Sequence, residues 1–156
     1  MVRIITIIVF CTALCLPAYA AAQDGRSARC APYRAQVESI LAEYDLPAIY
    51  YWLMVAESGC RVGAVSPQGA VGFWQMMPAT MRHHGCRNAE DLTCQTHAAA
   101  RYLVSLRRRF TGEAVIWAWS MGGSNLKKRG KPTAEARALS ATVRKLAQEV
   151  CTAKTS

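Results

Sequence analysis

Acidic residues are scarce in this 156-residue chain, with 10 Asp and Glu against 19 Lys and Arg, for a net charge of +9. Such a balance suits an acidic partner: nucleic acid, anionic lipid or an anionic cell-wall polymer. The cations gather in two clusters, Arg107, Arg108 and Arg109, then Lys127, Lys128, Arg129 and Lys131. A solvated face that aids solubility is the plain alternative. Internal repeats and low-complexity linkers are missing, which argues against a repeat array or several domains. Strand signals are weak throughout, which argues against a mainly β fold. One absence is local. No Asp or Glu occurs between Glu57 and Glu90.

The amino terminus is apolar and short. Arg3 precedes "IITIIVFCTALCL", and "PAYAAAQ" follows with small residues that suit cleavage after Ala20 or Ala22. The run is short for a bilayer span. Residues 1–22 are therefore expected to be a removed signal peptide and residues 23–156 one domain, periplasmic or secreted, with no stable membrane anchor. Export disfavours nucleic acid as the partner. Cys11 and Cys15 leave with the signal, and neither has the small preceding residues that lipidation needs. Five cysteines remain, Cys30, Cys60, Cys86, Cys94 and Cys151. In an oxidising compartment disulfides are the default. Five is odd, so one thiol is left free or pairs with another chain. Cys86 and Cys94 are close enough to clip a loop.

Helical periodicity dominates what is present. "PYRAQVESILAEYDL" starts with Pro32 and repeats Val37, Ile40, Leu41 and Tyr44. "LPAIYYWLMVAESG" opens at Pro47 and closes at Gly59. Almost nothing separates the two, which predicts a tight helical hairpin. Its ends bring Cys30 near Cys60, the physical case for that disulfide; Cys30–Cys151 is the rival. Further helices are expected over "PATMRHHG", "TCQTHAAARYLVSLRRRF" and "GEAVIWAWSM", the last broken by Gly122 and Gly123. "LKKRGKP" reads as an exposed basic loop. "TAEARALSATVRKLAQEV" reads as a final amphipathic helix capped by Thr133, with Leu139, Val143, Leu146 and Val150 inward. The segment between Gly59 and Pro78 is rich in Gly, Ala and Ser, with a turn at "SPQGA".

Glu57 is the chemically odd residue. It shares a helical face with Tyr50, Leu53 and Met54, which is otherwise apolar. It also sits at a helix C-terminus, where the dipole disfavours negative charge. Both effects raise a carboxyl pKa. A carboxyl kept protonated near neutral pH can act as a general acid. A surface Glu at a fraying helix end is the structural alternative.

The stretch that follows, "ESGCRVGAVSPQGAVGFWQMMPAT", resembles the signature of the lytic transglycosylases of the soluble-lytic-transglycosylase type (family 1), and its "GFWQMMPAT" form is most similar to the membrane-bound D-type subgroup. "AAARYLVSLRRRF" and "AVIWAWSMGG" extend the resemblance over about residues 46–123. The resemblance implies a mainly α, lysozyme-like (α+β) single domain, with a central segment that is irregular or holds a small β-hairpin. It implies cleavage of the β-1,4 bond between N-acetylmuramic acid and N-acetylglucosamine in peptidoglycan, giving 1,6-anhydro ends, as a local wall-opening enzyme. One acid suffices for that reaction, whereas an ordinary glycosidase needs a second carboxylate across the bond. By resemblance Glu57 is the acid/base, Ser66 hydrogen-bonds and orients it, and Gln75 and Met77 line the sugar site. Trp119 stands where the family has a tyrosine and could stack on a sugar or pack. Phe73 and Trp74 read as core in preference to sugar platforms. Gly69 and Gly72 let backbone approach closely.

The chain departs from the family at Ser120, in place of its asparagine, and in "PTAEARAL", which only faintly echoes a later family segment. Ser120 keeps a hydroxyl with shorter reach and no amide donor. The substrate is expected to be peptidoglycan glycan strands, and no cofactor is implied. The small exported domain is similar to transglycosylases serving secretion, conjugation or pilus assemblies. The alternative is a non-catalytic peptidoglycan-binding module of such an apparatus, and a third reading is a hydrolase. His83, His84, Cys86, Cys94 and His97 match no standard zinc spacing. Cys60 has no His in its motif to activate it as a nucleophile.

Overall fold

Glycine and proline punctuation divides the chain into helices whose ends carry their own stops. The computed structural model describes residues 25–153, with side chains described through residue 149. The expected signal segment, with Cys11 and Cys15, and the side chains of Val150 and Cys151 lie outside the described residues. The described residues form eight α-helices in order: α1 (Gly25–Cys30), α2 (Arg34–Ala42), α3 (Ile49–Ser58), α4 (Pro78–His83), α5 (Leu92–Arg107), α6 (Glu113–Met121), α7 (Gly123–Arg129) and α8 (Ala134–Ala153). A 3-10 turn, Ala31–Tyr33, carries Pro32 and leads α1 into α2.

Helix α3 is apolar on nearly every side, and Tyr50 through Val55 are all buried. A helix of that kind has to sit inside. It packs against α8, which also packs against α6, while α2 packs against α5. Leu41, Leu53, Met54, Val55, Leu103 and Val143 are fully buried at the centre. Helix α3 ends at Gly59, whose φ of 57° is left-handed. The Gly59 N–H donates to Val55 O at 2.9 Å, and Arg29 Nη1 donates to Gly59 O at 2.9 Å. The end of α3 is thus held rather than frayed. Helix α5 is capped by Asp91, whose carboxylate accepts from the Cys94 N–H at 3.0 Å. Thr133 caps α8, accepting from the Ala136 N–H at 3.2 Å.

The disulfides are Cys30–Cys60 and Cys86–Cys94, with Cα–Cα distances of 5.3 and 5.4 Å. The first ties the start of the helical region to the residue after Gly59 and excludes the Cys30–Cys151 pairing. The second clips the loop that leads into α5.

The expected α+β architecture is corrected. Among the described residues no β-strand forms, and the central segment contains only isolated antiparallel bridges, Val65 with Val71 and Val71 with Met76. The reason lies in the backbone. Cys60, Gly63, Gly69, Gly72 and Gln75 all have positive φ, so the chain turns before any extended run can lengthen into a ladder. The basic segment expected as a loop is corrected too, since Lys127, Lys128 and Arg129 form the last turn of α7. Leu126 anchors that helix in the core. Gly123 lies so close to α5 that an added Cβ would meet Leu106 at 3.2 Å. The double glycine breaks α6 as expected, and the helix then restarts. Helix α1 was not expected from the sequence.

Candidate active site

Glu57 occupies the last turn of α3, one residue before Ser58. Its carboxyl lines a cavity of about 670 Å³. That is roomy enough for several sugar rings or a comparable ligand. Burial pushes the Glu57 pKa up from 4.5 to about 7, and a hydrogen bond from Trp119 holds it down in part. The Trp119 Nε1–H donates to Glu57 Oε1 at 2.9 Å. Ser58 is buried and fastens this end of α3 to the glycine-rich segment. Its hydroxyl donates to Phe73 O at 2.7 Å and accepts from the Cys60 N–H at 3.0 Å.

The opposite support of Glu57 is a column of aromatic rings. Trp74 lies 5.8 Å from Trp119 between ring centroids, and Tyr102 lies 5.3 Å from it on another side. Trp74 is itself fixed from α5. Its Nε1–H donates to Thr96 Oγ1 at 3.0 Å, and its backbone N–H donates to Gln95 Oε1 at 3.2 Å. Gln95 and Thr96 are fully buried polar residues, and these bonds satisfy them. Gln95 Nε2 also donates to Ala89 O at 2.7 Å, within the loop closed by Cys86–Cys94. A connected set of contacts thus runs from the clipped loop through α5 and Trp74 to Trp119 and Glu57.

The residues proposed from the sequence all reach this cavity. Glu57, Ser66, Gln75, Met77, Trp119 and Ser120 line it together. Their interactions differ from expectation in detail. The Ser66 hydroxyl accepts from the Ala70 N–H at 3.0 Å, holding the "SPQGA" turn, while the hydrogen bond to Glu57 comes from Trp119. Gln75 holds a φ of 47°, uncommon for a residue with a side chain, and its Nε2 donates to Ala64 O at 3.1 Å and Gly72 O at 2.9 Å. It braces the wall. Met77 is 47% exposed and Ser120 is exposed, so both present side chains to an incoming ligand. Trp119 is only 7% exposed, which makes it a wall and a donor more than an open platform. Phe73 and Trp74 are core, at 2% and 0% exposure.

Several wall residues escaped sequence reading. Tyr102 lines the cavity and lies against Trp119 with the rings tilted by 41°, and burial raises its pKa. Asn125 lines the cavity from α7 and donates to Met121 O at 2.8 Å. Glu135, in the first turn of α8, is a second carboxyl lining the same cavity, far from Glu57 in sequence. Its pKa is lowered by hydrogen bonds from its own backbone and from Thr133, with Arg129 and Arg137 adding to the effect. Ser58 had a signal in the sequence, the "ES" pair itself. The others had none, because tertiary packing brings them in.

Among the described residues no group of three or more His, Cys, Asp or Glu is placed to hold a metal ion. Cys86 and Cys94 of the candidate zinc set are bonded to each other, and Cys60 is bonded to Cys30. His84 packs on Tyr102 at 5.2 Å, and His97 hydrogen-bonds the Tyr44 hydroxyl at 3.0 Å. No helix among the described residues is long and apolar enough to cross a membrane.

Comparison with known proteins places the chain in a family. Residues 37–140 match the family model described as the transglycosylase SLT domain. Membrane-bound lytic murein transglycosylase D of Escherichia coli (strain K12) is 27% identical over 120 residues, covering 67% of this chain and 26% of that protein. The same protein from Escherichia coli O6:H1 matches to the same extent. A protein of Alteromonas sp. (strain M-1), named for tributyltin chloride resistance, is 26% identical over 122 residues, 69% of this chain and 59% of its own. The chain therefore spans about a quarter of the length of its transglycosylase D relatives. The matched region contains Glu57, the glycine-rich segment and every other residue of the cavity wall, and the chain belongs to the transglycosylase SLT domain family.

Proposed function

We propose that the domain, residues 23–156, is an exported lytic transglycosylase that cleaves the β-1,4 bond between N-acetylmuramic acid and N-acetylglucosamine in peptidoglycan. The observation that carries this reading is a partly buried carboxyl, Glu57, on a cavity wall with its pKa raised to about 7. Near neutrality a large fraction of that carboxyl is protonated, so it can give a proton to the departing glycosidic oxygen. Once ionised, it can take the proton of the muramic C6 hydroxyl as that oxygen bonds to the anomeric carbon. The C1–O4 bond breaks, the C1–O6 bond forms, and the proton count returns to its start. The product is a 1,6-anhydro end, and water is not consumed. The family match and the murein transglycosylase relatives support the substrate class. The two disulfides and the apolar amino-terminal run support export.

The first test is digestion of purified sacculi. Wild-type protein is expected to release soluble muropeptides, and Glu57→Gln is expected to lower the rate by about 10²–10⁴-fold. Equal digestion by the variant would refute Glu57 as the acid. Binding to sacculi without release would favour the glycan-binding module, the reading to which exposed Ser120 lends its support. Glu135, lining the same cavity, is the observation that favours a hydrolase, which would add water to the anomeric carbon. Service beside a secretion, conjugation or pilus assembly belongs to the same proposal. A gene deletion that leaves all such phenotypes intact counts against it.

A further inference from the structure

We propose that Trp119 is the positioning residue of Glu57, and that its indole N–H decides which carboxyl oxygen carries the transferable proton. The inference rests on the transglycosylase reading of Glu57 and goes beyond the sugar-contact role that the sequence suggested for Trp119. The indole nitrogen is a donor with no acceptor lone pair. At 2.9 Å from Glu57 Oε1 it can be satisfied only by a lone pair on that oxygen. A hydroxyl oxygen is a poorer acceptor than a carbonyl oxygen, so Oε1 is kept as the carbonyl and the proton resides on Oε2. A tyrosine or serine hydroxyl in the same place would both donate and accept, and would leave either oxygen free to be protonated. Trp119 removes that choice.

The indole is not free to drift. Trp74 and Tyr102 contact it, at 5.8 and 5.3 Å between ring centroids. Trp74 is tied in turn to Thr96. The bond persists in both protonation states of Glu57, because Oε1 remains an acceptor after Oε2 has lost its proton. The carboxylate is then oriented with the same oxygen, Oε2, ready to take the next proton. Acid and base steps thus use one atom. Among the described residues no lysine, arginine or histidine lines this cavity, and its other titratable side chains are Tyr102 from α5 and Glu135 from α8. Trp119 is therefore the neutral dipole acting directly on the carboxyl.

The test is Trp119→Phe, which keeps an aromatic ring and deletes the donor. The expected result is a fall in kcat of about ten- to a hundredfold with KM changed less than about twofold. The alkaline limb of the pH–rate profile is expected to move upward by about one pH unit, because the lost donor favoured the ionised form. A raised KM with an unmoved alkaline limb would overturn the proposal and leave Trp119 as a sugar contact. Should the variant fail to fold, NMR of the wild-type protein gives the answer. The Trp119 indole N–H resonance is expected to titrate with a single midpoint near neutrality, and Glu57→Gln is expected to abolish that titration. A resonance flat with pH would overturn the proposal. The NMR result stands apart from turnover: inactive wild-type protein with a titrating indole refutes the transglycosylase reading while preserving the Trp119–Glu57 coupling.

Discussion

The two walls of the cavity are built differently. The near wall, the end of α3 and residues 59–77, is held at almost every step by hydrogen bonds, a disulfide and glycines that accept positive φ. The side chains of Ser58, Ser66 and Gln75 all hydrogen-bond backbone partners, and Gly59 is held by Val55 O and the Arg29 guanidinium. The far wall, from Ser120 to Leu139, presents exposed Ser120, Asn125 and Glu135 beside the cationic end of α7. The near wall holds the acid. The far wall offers its polar groups to whatever enters the cavity. Rigidity is concentrated where a carboxyl must be kept dry and oriented, since a small misplacement of an acid costs much of its effect.

The sharpest way to break that contrast is Gly72→Ala on the near wall. A Cβ at Gly72, where φ is +73°, would lie 1.9 Å from Gln95 Nε2 and 2.5 Å from Ala89 O. The backbone oxygen cannot swing aside, so a loss of about 3 kcal/mol is expected in denaturant unfolding. An unchanged midpoint would show that the near wall yields easily, and would remove the contrast.

The next effect is electrostatic and has a definite sign. The carboxyl of Glu57 has its folded pKa raised to about 7, against 4.5 as the ordinary value. The folded state therefore holds this proton over a pH range in which the unfolded chain releases it. Stability associated with that proton is fully present below about pH 4.5 and is lost as pH rises through 7. At pH 8 Glu57→Gln is expected to be more stable than wild type by up to about 2–3 kcal/mol. The gain should shrink toward zero near pH 4. A variant less stable than wild type at pH 8 would mean that the near wall is not arranged at the expense of the ionised acid.

Smaller effects are expected from the far wall. Thr133→Ala removes the cap of α8 and is expected to cost about 1 kcal/mol, read as a lowered Tm. Glu135→Gln is expected to change turnover on sacculi by less than about threefold, since this exposed carboxyl is not required by a one-acid mechanism. A loss as large as that of Glu57→Gln would make Glu135 a second catalytic acid and erase the distinction between the walls.

Much of the near wall was legible in the residues themselves. Pro47 and Gly59 framed α3, periodicity put Glu57 on an apolar face, and the motif named the cavity residues that the fold assembles. The Cys30–Cys60 bridge followed from two helices and a short connection. The expected hairpin failed because glycine-rich segments with conformational freedom carry no periodic signal that separates a ladder from successive turns. Gln75, at φ 47°, is a position that propensity would not assign to the left-handed region. Helix α7 was hidden by composition, because its one buried apolar side chain, Leu126, gives no repeat to detect. Tyr102, Asn125 and Glu135 reach Glu57's cavity only through packing of α5, α7 and α8. The partnership of Trp119 with Glu57 spans 62 residues of sequence and has no local trace.

The most direct measurement is the fate of water in the reaction. Sacculi are digested by wild-type protein in water enriched in heavy oxygen, and the released muropeptides are weighed by mass spectrometry. The expected products end in 1,6-anhydro-N-acetylmuramic acid, lighter by one water than hydrolysis products, and carry no heavy oxygen. Reducing ends bearing one heavy oxygen would contradict a mechanism run by Glu57 alone and would direct attention to Glu135 as the partner that activates water.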